Sequence, residues 1–571
     1  MMNAKWLAEA CLAAVVLSAH PANFAAGQEI GPYGGRLVIS QRAEPKTLNP
    51  LIAIDASSRQ IIGLINTDLI HINRHSLKTE AALASSWTVS PDGLDYTLHL
   101  RRGLEFSDGQ PFDADDVLFT FEVYLDEHVH APQRDLLMIA GKPIRVKKVD
   151  AYTVHFELQQ PYAAAERLFD SIAVLPRHLL QRAYEEGRLN QVWNLTTPSK
   201  QIAGLGPFQL KEYVPGQHLT LVRNPHYWKL DAEGRQLPYL DEIFSVFTGN
   251  ADAEAMRFQA GEIDVVSRLS AANFSVLEKH QQSGRFRLCD AGASLEYNFL
   301  FFNLNDLRSK GLPAVEAKQV WFRQLAFRKA VSAAIDRDAI VRLAYDGRAY
   351  PLSAHVTPGD KLWLNRSIPR PERSIPQARH ILQKAGFSWR RDGRLLDDRH
   401  EPVTFSLIFN AANPELTEVA TLLQEDLAEI GIDLRVVPLE QRAILNRVFT
   451  TYEYEAAILS LASGDADPNS EINVWTSQGG AHLWDLSPRG AQPPWQQEID
   501  RLMQQQMVTP EFEKRKRMYD RVQELVWENL PVICLVSPDL LVGATERLGN
   551  FQPAILSDHT LWNVEELFLR H

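Results

Sequence analysis

Three carboxylates, Asp113, Asp115 and Asp116, follow directly on a loop rich in Gly, Asp and Pro in the stretch "SWTVSPDGLDYTLHLRRGLEFSDGQPFDADDVLFTFE", residues 86–122. Paired carboxylates divide acid and base work only where their environments push their proton affinities apart. Nothing in the neighbouring sequence supplies that contrast. A helix N-terminus accounts for the same residues: with Asp113 as N-cap, Asp116 falls at N3, and Phe112 before the cap can staple onto Val117. Val117, Leu118, Phe121 and Tyr124 then supply a buried face. Capping is therefore the expected role of these acids.

Other groups were weighed for chemistry. His71 with His75, and His128 with His130, have spacings that permit a metal, but 17 His in 571 residues make such pairs unremarkable without a thiolate or carboxylate cluster. No metal and no cofactor is expected. The chain lacks H-E-x-x-H, G-x-x-x-x-G-K-[ST] and G-x-S-x-G, and "GLGPF" at 204–208 is too short for a dinucleotide loop. These gaps weigh against an enzyme; a secreted peptide hydrolase stays as the rival class.

The acidic run "SGDADPNSEINVW", 463–475, reads in two ways. Its carboxylates can hold backbone N–H groups in an Asx-type turn. Alternatively, a buried carboxylate recovers its desolvation cost when a cation meets it, which would select an ammonium group. Trp475, Trp484 and Trp495 follow closely, and aromatic walls with few polar anchors suit a site that accepts varied side chains.

The elements that must position these groups are of mixed type. Pro91-Asp92-Gly93 separates "SWTVS" from "LDYTLHL", whose alternation predicts two half-buried strands joined by a turn, with His99 on the solvent side. "RLVIS" reads as a strand, and 60–72 carries apolar residues at helix-like spacing. Strand-like runs at 294–305, 403–410 and 432–438 alternate with helical patterns at 322–345, 375–386 and 414–430, which predicts an α/β fold. The helix between 403–410 and 432–438 suggests a βαβ unit.

Length allows several domains, and 45% hydrophobic with 23% charged residues is an ordinary globular composition. A formal net charge of −12 gives no basic excess for nucleic acid. The first 26 residues run from Lys5 through an apolar stretch to small residues, the order of a secretory signal peptide. That stretch is shorter than the ~20 residues that span a bilayer. Cys11 precedes it, so a soluble, periplasmic and not lipid-anchored protein is expected. Cys289 and Cys534, far apart in sequence, are expected to be independent thiols.

Residues 86–122 resemble the most characteristic segment of the extracytoplasmic solute-binding proteins of family 5, the peptide, dipeptide and nickel binders of ABC importers. "GLGPFQLKEYVPGQHLTLVRNPHYW", "LPYLDEIFSVFTGNADAEAMRFQAGEIDVV", "YNFLFFNLN", "FRQLAFRKAVSAAIDRDAIV" and "VQELVWENLPVICLVSP" continue the likeness in order. The resemblance implies a type II periplasmic binding protein fold, two lobes with hinge strands plus an extra domain on the first lobe. Carried onto this chain, residues 27–58, 200–288 and 515–571 form lobe I, 59–199 the extra domain and 289–514 lobe II. It implies a binding subunit, a monomer, that captures a peptide or similar small solute in an interlobe cleft and delivers it to a membrane permease with its ATPase. A ligand sensor or chaperone on the same scaffold is the non-transport alternative. In the peptide-binding branch an Asp before an Asp-Pro segment ties down the ligand's amino terminus; here that implies Asp465, with Asp467 as alternative because the spacing to the Pro is one residue short. Asp55, Ala56, Tyr297 and Asn303 are the further residues the resemblance places at the ligand, and Trp475 is the one of the three Trp expected in the cleft as an aromatic wall.

Overall fold

The computed structural model describes residues 29–139, 141–170, 172–282, 285–463, 465–488 and 490–570. The expected signal peptide and Cys11 lie outside the described residues. Among those described, no helix is long and apolar enough to cross a membrane. The chain divides into two compact units, one formed by residues up to Leu37, Gln41–Phe247 and the segment from Val564, the other by Val38–Ser40 and Thr248–Asn563.

In the first unit, a four-stranded antiparallel sheet has the order Ala84–Val89, Asp95–Leu100, Thr153–Glu157, Arg145–Asp150. The Pro91-Asp92-Gly93 turn forms as expected: Gly93 has φ +71°, and its N–H donates to Ser90 O at 2.9 Å. Tyr96, Leu98 and Leu100 are buried while His99 is exposed, so the period-two reading holds. The helix Ala114–Leu125 packs Phe121 edge-on to Phe156 of the sheet, ring centroids 4.9 Å apart. Phe119 is buried where Leu118 was expected to be; Leu118 is only half-buried.

Residues 60–72 are not one helix. The helix Ala56–Ile65 ends, and Ile70–Ile72 is a strand paired with Thr79–Ala81. Gly204 and Gly206 of "GLGPF" explain the close approach at that helix end. A Cβ at either would fall 2.2–2.6 Å from the Ile65 carbonyl oxygen, and Gly206 N–H donates to that oxygen at 2.8 Å.

The second unit is organised on a sheet in which Val265–Val266, Val532–Thr545, Glu296–Phe302, Ala456–Ala462, Thr404–Asn410 and Asp433–Leu439 are successive neighbours. Thr404–Asn410 and Asp433–Leu439 pair in parallel across the helix Pro414–Glu429, the expected βαβ unit. Alternate residues of Glu296–Phe302 serve two cores. Leu300 and Phe302 pack with Phe322, Phe327 and Phe405 on one face. Tyr297, Phe299 and Phe301 pack with Tyr454, Trp475 and Trp484 on the other. The helix expected over 322–345 is broken in two, Leu325–Ala334 and Arg337–Ala344. Ile335 between them is extended, and Asp336 accepts the Ala339 N–H at 2.8 Å as a new N-cap. Cys289 and Cys534 are free thiols.

Candidate functional site

The Asp113 cluster resolves as capping. Asp113 Oδ1 accepts the Asp115 N–H at 2.8 Å, and the Asp113 N–H donates to Asp116 Oδ2 at 3.1 Å, which closes a capping box. Asp116 is buried; burial pushes its carboxyl up to about 6, and its other oxygen accepts the Arg177 N–H at 3.0 Å. Asp115 turns outward to Lys148 at 2.8 Å. Each acid is thus occupied in holding backbone or surface charge.

Asp55 plays the same part for the helix Ala56–Ile65: its carboxylate accepts the Ser58 N–H at 2.9 Å and the Ser58 hydroxyl at 2.8 Å, while Ala56 is exposed at the first helical position. Both belong to the first unit. His71 stands 3.4 Å from Asp68 and 3.4 Å from Asp170, and Arg74 holds the second oxygen of Asp170 at 2.8 Å. Among the described residues Asp68, His71 and Asp170 are the set whose ligand-type atoms gather within 4.8 Å, the spacing a metal ion needs.

The other expected site residues lie in the second unit, where the strand Ala456–Ala462 runs into the acidic segment. Ser463 Oγ donates to Asp465 O at 2.6 Å, and the Ala466 N–H donates to Asp465 Oδ1 at 2.7 Å. Asp465 is half-buried. Asp467 caps the short helix Pro468–Glu471 by accepting the Asn469 N–H at 3.0 Å, the Asx geometry that the sequence allows. The same carboxylate receives Arg515 through two parallel bonds, 2.8 and 2.9 Å. Gln506 holds that guanidinium through its backbone carbonyl at 3.1 Å and its side-chain oxygen at 2.9 Å.

Four residues later Glu471 accepts the Trp475 indole N–H at 2.8 Å. Trp475 is a core residue, 1% exposed, with its ring 3.9 Å from that of His355. His355 is equally buried, and burial drives its imidazole down to about 3, so it is neutral at physiological pH; its Nε2 pairs with the Tyr519 hydroxyl at 3.1 Å. Burial also raises Asp360 and Glu471, each to about 7. Tyr297 lies beside this group, fully buried, with a hydroxyl that has no partner. Asn303 is buried elsewhere in the same unit, its amide N–H groups given to the carbonyls of Tyr452 and Tyr454 at 2.9 Å each.

Asp467, Trp475 and Tyr297 are therefore parts of one buried polar group, together with His355, Asp360, Glu471, Arg515 and Tyr519, which reading the sequence did not single out. Only Glu471 had a local signal, an acid one helical turn before Trp475 inside the acidic run. His355, Asp360, Arg515 and Tyr519 come from distant segments with no motif of their own.

Comparison with known proteins agrees with this fold. The chain is 26% identical over 549 residues to a probable ABC transporter-binding protein of Deinococcus radiodurans, with 92% of this chain and 91% of the relative covered. It is 24% identical to the oligopeptide-binding protein AppA of Bacillus subtilis, covering 94% and 92%. The solved structure of AppA in complex with a nonapeptide matches 95% of this chain and all of its own at a TM-score of 0.72. That of NikA from Brucella suis in complex with Fe(III)-EDTA matches 94% and 100% at 0.77, with 20% identity. These likenesses give the expected fold, that of a type II periplasmic binding protein. Residues 78–482 match the model of the bacterial extracellular solute-binding proteins, family 5, and the chain belongs to that family.

Proposed function

We propose that this protein is the extracytoplasmic substrate-binding subunit of an ABC importer, which captures a peptide or similar small solute and hands it to a membrane permease and its ATPase. It acts as a periplasmic monomer without a lipid anchor and performs no covalent chemistry; Lobe I at 27–58, 200–288 and 515–571, the extra domain at 59–199 and lobe II at 289–514 are part of this reading. Ligand binding shifts the protein towards a form that holds the ligand better, and the differential contacts supply the energy of that shift.

The observation that carries the reading is the match of residues 78–482 to the bacterial extracellular solute-binding proteins, family 5, together with relatives named as peptide-binding proteins along nearly the whole chain. Asp467 is spent on Arg515 inside the unit, so its charge is already matched. Asp465, two residues earlier and half-buried, is the carboxylate we assign to the ligand's amino terminus. The names of relatives that bind oligopeptides or dipeptides support the ligand class.

Calorimetric titration with short peptides, free or acetylated at the amino terminus, tests the assignment. Free peptides are expected to bind, acetylated ones to bind at least about tenfold more weakly, and Asp465→Ala to erase that difference. An equal affinity of the Asp465→Ala variant and the wild type for free peptides would reject Asp465 as the anchor.

A further inference from the structure

In the first unit His71, on the strand Ile70–Ile72, faces two carboxylates: Asp68, just before that strand, and Asp170, after the helix Ala165–Leu168. Its Nδ1 is 3.4 Å from Asp68 Oδ2 and 3.4 Å from Asp170 Oδ1. One ligand-type atom from each of the three residues lies within 4.8 Å of the other two. His75, the companion that spacing suggested for His71, is not part of the group; its backbone N–H is given to Asn73 Oδ1 at 3.0 Å.

Hydrogen bonding alone fits this spacing poorly. A charge-assisted N–H···O bond closes to about 2.7–2.9 Å, and a single Nδ1–H points at one acceptor. Here two oxygens stand at the same longer distance. A tetrahedral zinc with N and O ligands at about 2.0–2.2 Å holds neighbouring ligand atoms about 3.3–3.6 Å apart, which is the separation found.

The surroundings suit a cation as well. Asp170 Oδ1 accepts the Ile72 N–H at 2.7 Å and its Oδ2 takes Arg74 at 2.8 Å, so outer partners fix the orientation of that carboxylate. Among the described residues no Lys or Arg is paired with Asp68, although a second acid stands beside it. The Tyr124 hydroxyl, buried and within reach of the Asp68 charge, has no acceptor for its proton. Such a donor is costly to bury, and a water carried by a cation would accept it.

We propose that Asp68, His71 and Asp170 bind one zinc-type divalent cation, through Nδ1 and one oxygen of each carboxylate, with water completing the shell. The imidazole nitrogen selects zinc over magnesium and calcium, which favour shells built of oxygen. The cation ties the strand Ile70–Ile72 to the segment after the helix Ala165–Leu168 and requires no bound solute.

Calorimetry of the metal-stripped full chain at neutral pH tests it, with zinc chloride as titrant and magnesium chloride as control. One zinc is expected per chain, and magnesium is expected to bind far more weakly. Asp68→Asn and His71→Gln should each weaken zinc at least about tenfold, while His75→Gln and His128→Gln bind as the wild type does. Zinc should raise the thermal midpoint of the wild type and leave those of Asp68→Asn and His71→Gln unmoved. If neither of these variants folds, the wild type decides: zinc is expected to protect His71 from diethyl pyrocarbonate, read by peptide mass spectrometry. The proposal is overturned by a wild type that binds no zinc, by magnesium binding as tightly, or by wild-type zinc affinity in either ligand variant. Equal modification of His71 with and without zinc overturns it too.

Discussion

Asp467 and Arg515, forty-eight residues apart in the chain, meet as a two-bond fork at 2.8 and 2.9 Å with side chains 8% and 6% exposed. The fork ties the segment after the strand Ala456–Ala462 to the helix Phe512–Asn529. A buried pair of this kind adds little over an apolar pair of the same shape, yet losing one partner strands the other charge. Its role here is to fix where Asp465 and Glu471 stand on either side.

Asp467→Ala is expected to cost roughly 3–5 kcal/mol, because Arg515 is then buried without a counter-charge. Urea unfolding measures this as a lower midpoint at unchanged slope. Replacing both partners, Asp467→Leu with Arg515→Met, should recover most of the loss. A single variant less than about 1 kcal/mol below wild type would show that the fork is not desolvated as described.

Asp113→Ala removes one half of a capping box on the helix Ala114–Leu125 and should cost about 1 kcal/mol. Asp113→Asn, which still accepts the Asp115 N–H, should retain most of the stability. Because the acid caps a helix, ligand affinity is expected to match the wild type in both variants. A change in affinity without a change in unfolding midpoint would return this cluster to the list of functional acids.

These two acids mark what a sequence carries and what it leaves out. Asp113 was legible because every partner of its cap lies within three residues, and the alternation of Tyr96, Leu98 and Leu100 is equally local. The strand Ile70–Ile72 was not, since Ile-x-Ile fits a helix face as well as a strand, and only the pairing with Thr79–Ala81 decides. The break at Ile335 fails for a similar reason: the apolar period continues through it, and the Asp336 cap is one residue in an otherwise helical pattern. At the candidate site, the pairing of Asp467 with Arg515 was not legible, because no spacing rule locates a partner forty-eight residues away. Trp475, at the end of the short helix Ile472–Trp475, is 1% exposed, and nothing local in the sequence marks that its ring packs on His355 from a distant segment.

Gly206→Ala tests the reading of "GLGPF" as a close packing contact. The added Cβ would lie 2.4 Å from the carbonyl carbon of Ile65 and 2.6 Å from its oxygen, backbone atoms that cannot swing aside. A loss of about 1–3 kcal/mol is expected from the forced shift. Gly480→Ala is the matched control: it is exposed with nothing within 4 Å, and should change stability by less than about 0.5 kcal/mol. Equal thermal midpoints for the two variants would remove the packing explanation.

Glu471 makes a prediction in pH. Burial raises its carboxyl from an ordinary 4.5 to about 7 in the folded protein. An acid whose folded value is raised binds its proton more tightly when folded, so its contribution to stability is full below about pH 4.5 and is lost as pH rises through about 7. Glu471→Gln removes this titration but keeps an oxygen for the Trp475 indole. The difference in unfolding free energy, variant minus wild type, should therefore grow in favour of the variant between about pH 4.5 and pH 7. Above that it should level off at no more than about 3 kcal/mol. Asp360, raised by burial first and by Glu471 and Asp467 after that, titrates in both proteins, so its effect largely cancels in the difference. Chemical denaturation of both proteins at matched ionic strength across this range measures it. A difference that is flat with pH would show that the Glu471 carboxyl is not desolvated in the folded state.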